Sequence, residues 1–333
     1  MSSLNITVLS SVSRWLSQRN PVFLVTVIKT WGAAPRPVGS LFAFNLSEGS
    51  QTGSLSGGCV EEDLLQYLSQ LTVDADFSSL KPHLKRYGDA QDNSGIRLPC
   101  GGVLELLIEP LSTFDLKVIN HLLDQLTKHQ AACRRLEYNK LSGMVQRTVF
   151  TADPQERLPV LAFDSESFTL VHRLNPSFRL LIVGAGDVAR YLAEFAATVD
   201  FTVTLCDPRK DVLKRLPELN ESSFNIVNAL PDDLIRGDFK DHYVAIVCLS
   251  HDPRVDDMAL IEALQSSNAF YVGAMGSANT SANRRERLLS LGITEAELAK
   301  LRAPIGLDIH SKTPPEIAIS IAAELIKQRI YLL

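Results

Sequence analysis

The sequence has 333 residues, of which 45% are hydrophobic and 21% are charged. A chain of this length and composition is typical of a globular protein with two domains, which excludes a disordered or fibrous protein. The formal net charge of −5 excludes an overall basic surface for binding nucleic acid or an anionic membrane.

The sequence also argues against membrane insertion and against disulfides. No apolar run reaches the roughly 20 residues that a membrane-spanning helix needs, and the first 20 residues lack a basic segment followed by an apolar one. The five cysteines have no regular spacing and no CxxC pair, so they predict neither a disulfide framework nor structural zinc. We therefore expect a cytoplasmic protein with reduced thiols.

The first part of the chain predicts helices and strands in mixed order. In chain order these are a helix around Val12–Leu16, strands at Val22–Ile28 and Leu41–Phe44, a helix that opens at Cys59, a strand at Val103–Pro110, a helix at Phe114–Gln130 and weaker strands up to about Val171. The segment Leu174–Ser177 contains Pro176 and marks a predicted boundary. We expect an N-terminal α/β domain at 1–175 and a second domain at 176–333.

After this boundary the pattern changes to regular alternation of strands and helices. The predicted strands are Arg179–Val183, Phe201–Cys206, Phe224–Val227, Tyr243–Leu249 and Ala269–Gly273, and the predicted helices are Val188–Thr198, Val255–Gln265, Ala278–Ser290 and one that begins at Pro314 with Thr313 as its N-cap. Such alternation predicts an α/β fold with a Rossmann-like, doubly wound parallel sheet.

A glycine-rich turn follows the first of these strands. Gly184 permits a tight turn, and Gly186 lets a phosphate approach the free N–H groups of the next helix. Asp207, 21 residues after Gly186, ends the second strand and is placed to accept hydrogen bonds from ribose hydroxyls. The pattern predicts a nucleotide-like ligand. In the structural alternative, the glycines only allow close packing of strand and helix.

Two charged residues modify this prediction. Asp187 follows the turn, where a carboxylate complements the helix dipole but repels an incoming phosphate. Arg209 is predicted either to offset the Asp187 charge or to pair with it.

Two cysteine–glycine turns stand out in the first domain. Gly57 and Gly58 precede Cys59 at a predicted helix N-terminus, where the dipole lowers the thiol pKa below its usual value of about 8.5. A thiolate beside free N–H groups suits a soft metal, a sulfur-transfer step or an anion. Cys100 repeats the pattern. The residues predicted to bind a cofactor here are Gly57, Gly58, Cys59, Glu61, Cys100, Gly101 and Gly102.

The simpler interpretation of any cysteine is a small buried hydrophobic residue. We apply it to Cys133, Cys206 and Cys248, which lie in predicted strands. For Cys59 and Cys100 the sequence leaves both interpretations open.

Further candidates follow the later strands of the second domain. Gly276 lies in a strand-to-helix turn, and Arg284 and Arg285 on the next helix are suited to hold phosphate or pterin oxygens, or else form a solvated helix face. His251 follows the fourth strand, at the sheet edge where such folds bind ligands. It is predicted to donate to a ligand or act as a base, or more simply to cap a turn.

Several motifs together resemble the XdhC/CoxI family, accessory factors for xanthine dehydrogenase and related molybdenum hydroxylases. They are GSLSGGCVEEDLL, PCGGVLELLIEP, LLIVGAGDVA, CDPR, YVGAMGSANTSANRRERL and APIGLDIHSKTPPEIAISIAAEL, in family order from about residue 20 to 327. Asp187, Pro253 and His310 depart from the family pattern, which usually has His, His and Gly there.

This resemblance implies a molybdenum-cofactor chaperone with no catalytic residues and no stand-alone activity. It implies that the chain binds molybdopterin-type molybdenum cofactor, with Cys59 and Cys100 as metal ligands. It further implies partnership with a cysteine desulfurase for sulfuration and delivery to an apo-hydroxylase such as xanthine dehydrogenase. Neither nucleic acid nor a membrane is an expected partner. The oligomeric state is open, with a homodimer as one option.

Two other functions remain open from the sequence. An NAD(P)-dependent oxidoreductase would use the Gly184 turn and Asp207, with His251 as its acid or base. A non-catalytic interaction protein would have a Rossmann domain without a ligand, and Asp187 is the residue that favours this alternative.

Overall fold

The computed structural model of the chain describes residues 2–32, 36–55, 59–74, 76–88, 102–153, 156, 159–214 and 224–332. The chain divides into two compact units, Met1–Pro176 and Ser177–Leu333. Each unit has its own hydrophobic core. None of the helices in the described part of the chain has the length and hydropathy needed to span a bilayer.

The first unit contains two antiparallel sheets and three α-helices within its described residues. Its elements are α1 (Ser2–Ser17), β1 (Val22–Trp31), β2 (Leu41–Asn45), β3 (Gln51–Gly53), α2 (Cys59–Asp74), β4 (His83–Tyr87), β5 (Val103–Leu111), α3 (Leu116–Thr127), β6 (Ala132–Asn139), β7 (Met144–Thr151), β8 (Leu161–Asp164) and β9 (Thr169–Leu174). One sheet has the order β3-β2-β1-β5-β4 and the other β7-β6-β9-β8.

Strand β1 is the centre of this unit because both of its faces are buried. Phe23, Val25 and Val27 pack with Val60 and Leu64 of α2. The alternate side chains of β1 pack with α1 and α3. Side chains of a strand alternate between faces, so a strand covered on both sides is apolar throughout. This explains the continuous apolar sequence from Val22 to Val25.

A buried network of charged and polar residues joins the two sheets of the first unit. Glu109 of β5 is fully buried and forms salt bridges with Arg134 of β6 at 2.6 Å and Arg147 of β7 at 3.3 Å. Arg134 also donates to Thr26 Oγ1 at 2.6 Å and to His172 Nδ1 at 3.2 Å. Buried charges need such partners because desolvation otherwise destabilises them.

The second unit has a six-stranded sheet in which all described pairs are parallel. Its elements are β10 (Phe178–Val183), α4 (Asp187–Thr198), β11 (Phe201–Cys206), α5 (Lys210–Leu213), β12 (Asn225–Val227), α6 (Pro231–Asp238), β13 (Val244–Cys248), α7 (Pro253–Ser266), β14 (Tyr271–Ala274), α8 (Ala278–Ser290), α9 (Glu295–Leu298), β15 (Leu301–Arg302) and α10 (Pro314–Arg329).

The sheet order is β12-β11-β10-β13-β14-β15, so the direction of strand addition reverses at β10. This is the Rossmann arrangement, and it creates a crevice at the carboxyl ends of β10 and β13. The predicted α/β fold with a Rossmann-like domain is confirmed. Helix α10 begins as expected, because Thr313 and Glu316 form a reciprocal capping box.

Four short elements of the second unit, α5, α6, α9 and β15, were absent from the sequence prediction. Helix α6 has eight residues, while α5 and α9 have four each. Strand β15 has two residues. Elements of this length contain too few residues to show a helical or strand period, so hydrophobic patterning does not reveal them.

Candidate functional site

The carboxyl edge of the parallel sheet collects most of the predicted site residues of the second unit. Gly184 and Gly186 follow β10, Asp207 follows β11, His251 follows β13, and Gly276 follows β14. Because parallel strands end at the same edge, these loops converge although they are far apart in sequence. The structure therefore brings these predicted residues together at one edge of the sheet.

The two glycines of the first turn have different roles. Gly184 has a φ of +103°, and a Cβ atom there would lie 2.4 Å from Ser250 Cα, so only glycine fits. At Gly186 a Cβ atom would meet no described atom within 4 Å, and the residue is exposed. Gly184 is thus fixed by the packing of β10 against β13, whereas Gly186 faces open space at the start of α4.

Asp207 is buried and its carboxylate is fully occupied. It accepts hydrogen bonds from the Ala185 amide at 3.2 Å and the Arg209 amide at 2.9 Å. The Arg209 side chain completes a fork, with Nε at 2.9 Å from Oδ1 and Nη2 at 2.8 Å from Oδ2. The hydrogen bonds of this fork raise the pKa of Arg209 above its usual value, which is already high. Arg209 therefore pairs with Asp207, two residues away, and not with Asp187.

A second fork of the same kind follows β13. Arg254 Nε and Nη2 donate to the two carboxylate oxygens of Asp252 at 3.1 and 3.0 Å. Asp252 also caps α7 by accepting from the Arg254 amide. Both forks come from the tripeptide Asp-Pro-Arg, at 207–209 and 252–254. Arg254 was not among the predicted residues, although this repeat after two strands that flank β10 was a usable signal.

His251 lies between these features on a constrained loop. Its φ is +59°, in the left-handed region that is unusual for a residue with a side chain, and it is exposed. Ser250 holds the loop because its hydroxyl donates to Asp256 at 2.7 Å and accepts from the Asp252 amide at 3.1 Å. The structure thus presents His251 outward at the sheet edge, while its role stays a prediction.

The predicted arginines of α8 contact protein atoms. Arg284 is buried and donates to Met275 O at 3.1 Å, and it forms an ion pair with Asp256 at 3.4 Å. Burial raises the pKa of Asp256 despite this contact. Arg285 donates to the carbonyls of Leu298 and Leu301. Arg284 therefore links the loop after β14 to α7, and Arg285 holds the connection between α9 and β15. A ligand contact by either arginine stays a prediction.

The remaining predicted residues of this edge are exposed or half-buried. Asp187 is exposed in the first turn of α4, where its carboxylate faces the positive end of the helix dipole. Gly276 is half-buried beside Thr280 and Arg284.

In the first unit, helix α2 begins at Cys59, as the sequence predicted. Glu61 in its first turn accepts from the Leu55 amide at 2.9 Å and from Ser54 Oγ at 3.2 Å. This carboxylate ties the end of the preceding loop to the helix. Gly57 and Gly58, the Cys59 side chain, Cys100 and Gly101 lie outside the described residues, whereas Gly102 is buried directly before β5.

The start of α2 lies at the end of the sheet where β5 begins. Along the helix, Tyr67 contacts His83 at 3.1 Å, and Asp63 lies 3.7 Å from Lys85. Four helical residues and two strand residues span similar lengths, about 6 Å. One further step, of four residues along the helix and two along the strand, brings the backbone of Cys59 level with Tyr87 of β4. Tyr87 is paired with Leu104, near the start of β5.

A lysine and two tyrosine rings lie near this end of the sheet. The Lys85 ammonium lies 4.2 Å from the ring centre of Tyr67 and 4.9 Å from that of Tyr87. Lys85 is thus a positive group one helical turn from the start of α2. Lys85 was not identified from the sequence. This residue comes near α2 only because β4 pairs with β5, and residue spacing does not reveal that pairing.

The other cysteines are buried in strands. Burial raises the pKa of Cys206 to about 11, so its thiol stays protonated at neutral pH. Burial likewise raises the pKa of Cys133 and Cys248. Within the described residues, no group of three or more His, Cys, Asp and Glu side chains is arranged to hold a metal ion.

Comparisons with known proteins agree with this architecture. The family model described as XdhC and CoxI family matches residues 15–81, and the XdhC Rossmann domain matches residues 180–325. A probable xanthine dehydrogenase subunit of Bacillus subtilis (strain 168) is 29% identical to the chain over 336 residues, covering 94% of this chain and 95% of that protein.

Two further proteins are similar over most of the chain. The Molybdenum cofactor insertion chaperone PaoD of Escherichia coli (strain K12) is 26% identical over 315 residues, covering 92% of this chain and 83% of that protein. A crystal structure of a xanthine dehydrogenase from Bacillus halodurans has the same fold, with a TM-score of 0.72 and 24% identity over 100% of both chains. The chain therefore belongs to the XdhC and CoxI family.

Proposed function

We propose that this protein binds molybdenum cofactor, assists its sulfuration and inserts it into a molybdenum hydroxylase of the xanthine dehydrogenase type. The observation that carries the proposal is the position of Cys59 at the first residue of helix α2, which contacts β4 through Asp63 and Tyr67. A relative that spans 92% of this chain is named a molybdenum cofactor insertion chaperone.

The chemistry of the Cys59 turn fits the cofactor. A helix N-terminus carries about +0.5 charge, which stabilises a thiolate at Cys59. The cofactor supplies a molybdenum atom held by a soft dithiolene, together with a phosphate. A soft thiolate suits the metal, and the free amides of the first helical turn suit the phosphate. Cys100 is proposed as the second thiol of this site.

The wider partners belong to the same proposal. A cysteine desulfurase would deliver sulfur to the bound cofactor, and an apo-hydroxylase would receive it. Carrying a cofactor requires a binding site and docking surfaces without turnover, so we assign no catalytic residue. We also propose a cytoplasmic location, because thiols that bind a metal must stay reduced.

The Rossmann-like unit is proposed to bind a nucleotide-like or phosphate-bearing part of a ligand. Gly186 faces open space beside the first amides of α4, and Arg209 and His251 lie on the neighbouring loops. This supports a ligand at the crevice. The comparisons give no support to the alternative function, an NAD(P)-dependent oxidoreductase.

The proposal is tested by loading the full-length protein with molybdenum cofactor and measuring its molybdenum content after gel filtration. Cys59→Ser keeps the size of the side chain but removes the soft, ionisable donor, so we expect a sharp loss of retained molybdenum. Cys206→Ser is the matched control, since that thiol is buried in β11 and donates to Ala229 O. It should lower stability and leave molybdenum retention intact.

Equal molybdenum in Cys59→Ser and wild type would exclude the thiolate as a ligand. A loss in both serine variants would indicate general unfolding. Circular dichroism of each variant before loading separates that case from loss of the site.

A further inference from the structure

The contacts of Asp207 exclude its expected use as a ribose acceptor. A carboxylate offers about four lone-pair positions. In this structure they are taken by the Ala185 amide, the Arg209 amide and the two Arg209 side-chain donors. Asp207 is also fully buried. A ribose hydroxyl could reach this carboxylate only by displacing one of these four donors.

Arg209 is the group that faces a ligand at this position. Its side chain is 33% exposed, in contrast to the buried carboxylate that holds it. The fork uses Nε and Nη2, and Nη1 lies 3.8 Å from Asp252 Oδ2, which is outside hydrogen-bonding distance. Among the described residues, Nη1 therefore has no hydrogen-bond partner. The fork fixes the plane of the guanidinium and leaves its outer donors for a ligand.

The neighbouring charges favour an anion beside Arg209 and not at the start of α4. Asp187 lies in the first turn of α4 and repels a phosphate there. Two other carboxylates also act on Arg209. Asp252 is held by its own fork with Arg254, and Asp211 lies in the first turn of α5. The outer face of Arg209 is thus the best-placed site on this edge for a doubly charged group.

We propose that Arg209 binds a phosphate monoester of the ligand and that Asp207 is a positioning residue that holds the guanidinium. The inference rests on the proposed function, in which the crevice binds part of a phosphate-bearing ligand. It deepens that function by naming the recognised group, a terminal phosphate in place of unmodified ribose hydroxyls. Two sources share this chemistry, the 2′-phosphate of a dinucleotide and the terminal phosphate of molybdopterin.

The test measures binding to the full-length protein by isothermal titration calorimetry with two pairs of probes. NADP⁺ and NAD⁺ differ by one ribose phosphate. Molybdenum cofactor and its dinucleotide form differ in whether the cofactor phosphate is terminal or esterified. Wild type should bind the monoester of at least one pair roughly tenfold more tightly or better. The pair that shows the preference identifies the source of the phosphate.

Three variants locate the preference. Arg209→Ala should remove it, leaving similar affinities within the pair. Asp207→Asn should reduce it too, since the guanidinium loses its support, whereas a merely structural role would weaken both probes equally. Arg236→Ala is the control, because it removes the same charge from an exposed position on α6, where Arg236 pairs with Asp233 and Glu262, and it should leave the ratio of affinities unchanged.

Several results would overturn the inference. They are equal affinities within both pairs for wild type, an unchanged ratio in Arg209→Ala, or a selective loss of NAD⁺ binding in Asp207→Asn. A wild-type protein that retains molybdenum but shows no preference would refute this inference alone. A protein that retains no molybdenum would refute the proposed chaperone function, while the NADP⁺ and NAD⁺ pair would still decide the role of Arg209.

Discussion

Two sets of charged residues, one in each unit of this protein, have opposite environments. In the first unit, Glu109 and Arg134 are buried between two sheets together with the largely buried Arg147. In the second unit, the Asp207–Arg209 and Asp252–Arg254 forks stand at the carboxyl edge of the sheet with their arginines outward. Because the first set is buried, it joins the two sheets of its unit. Because the arginines of the second set are at least partly exposed, they are available to bind a ligand.

The two sets also differ in how far apart their members lie in sequence. Contacts of Arg134 span from 25 residues, to Glu109, up to 108 residues, to Thr26. Each fork spans two residues. A pair at close spacing forms wherever the local chain allows it, but a long-range pair requires the completed fold. The two forks are therefore charge pairs that can be found by inspection of the sequence.

The largest effect is expected from breaking the buried network. Glu109→Gln removes the only carboxylate that pairs with the buried Arg134 among the described residues, while Arg147 keeps Asp115. Loss of one partner of a buried ion pair typically lowers the free energy of unfolding by about 3–5 kcal/mol. The control is Glu137→Gln, since Glu137 lies 3.5 Å from Arg135 and both side chains are about half exposed. An exposed pair contributes at most about 1 kcal/mol. Urea unfolding monitored by circular dichroism compares the two, and similar losses would show that burial does not strengthen the network.

A smaller loss of stability is expected from changing Gly184. In Gly184→Ala, the methyl group would lie 2.4 Å from Ser250 Cα and the backbone would be held at φ +103°. Backbone strain of this kind costs roughly 1–3 kcal/mol, and the contact with Ser250 adds to it. Gly186→Ala, where the added atom meets open space, should change the free energy of unfolding by at most about 1 kcal/mol. Equal effects would mean that the turn is not packed against β13 as described.

We expect the first unit to lose stability as the pH falls. Burial, with a further contribution from Arg134, holds the pKa of His172 well below its usual value. The unfolded chain therefore binds a proton at this residue below about pH 6.5 while the folded chain does not, so stability should fall as the pH drops through that value. The slope for one such residue approaches about 1.4 kcal/mol per pH unit.

His172→Asn tests this assignment, because its carbonyl oxygen can replace Nδ1 as the acceptor for Arg134 without titrating. The variant should show a smaller slope between about pH 7 and pH 5.5, the range in which an unperturbed histidine titrates. Some slope should remain, since burial also lowers the pKa of His83. Glu109 contributes to the pH dependence of stability only at lower pH. Burial alone would raise its pKa, but Arg134 and Arg147 outweigh burial and lower it, so its contribution is lost as the pH falls below about 4.3. An unchanged slope in His172→Asn would refute the assignment.

The smallest effect on stability, and a clear one on binding, is expected from Gly186→Val. Its side chain would fill the open space at the start of α4. Affinity for NADP⁺ or the molybdenum cofactor should fall roughly tenfold, about 1.4 kcal/mol, with little change in melting temperature. Calorimetric titration measures the first quantity and thermal unfolding the second. Unchanged affinity for both ligands would mean that the turn has only a structural role.

The sequence predicted the second unit better than the first for a physical reason. Alternation of apolar strands and amphipathic helices is a local signal, and parallel strands bring their carboxyl ends to one edge. The Gly184 turn, Asp207 and His251 were therefore placed on a common edge in advance. The occupation of Asp207 by Arg209 was not foreseen, because spacing shows proximity but not the direction of a side chain.

The burial of Arg284 and the position of Lys85 near α2 could not be predicted from the sequence, for a different reason. Arg284 is buried because Asp256, 28 residues away, lies beside it after folding. Lys85 lies near the start of α2 because β4 pairs with β5. Neither neighbour can be identified from residue type or period. In the first unit, the sequence predicted helices that correspond to α1, α2 and α3 and strands that correspond to β1, β2 and β5, but it did not predict β4.

The buried network has a consequence for how this protein can change over evolutionary time. Among the described residues, Glu109 is the only carboxylate that pairs with the buried Arg134, whereas Arg147 also pairs with Asp115. Loss of Glu109 therefore leaves the charge of Arg134 without a partner, and such a substitution would be selected against unless a second one removed that charge. Positions 109 and 134 should thus change together, and descendants that have replaced Glu109 by an apolar residue should carry an uncharged residue at 134 as well.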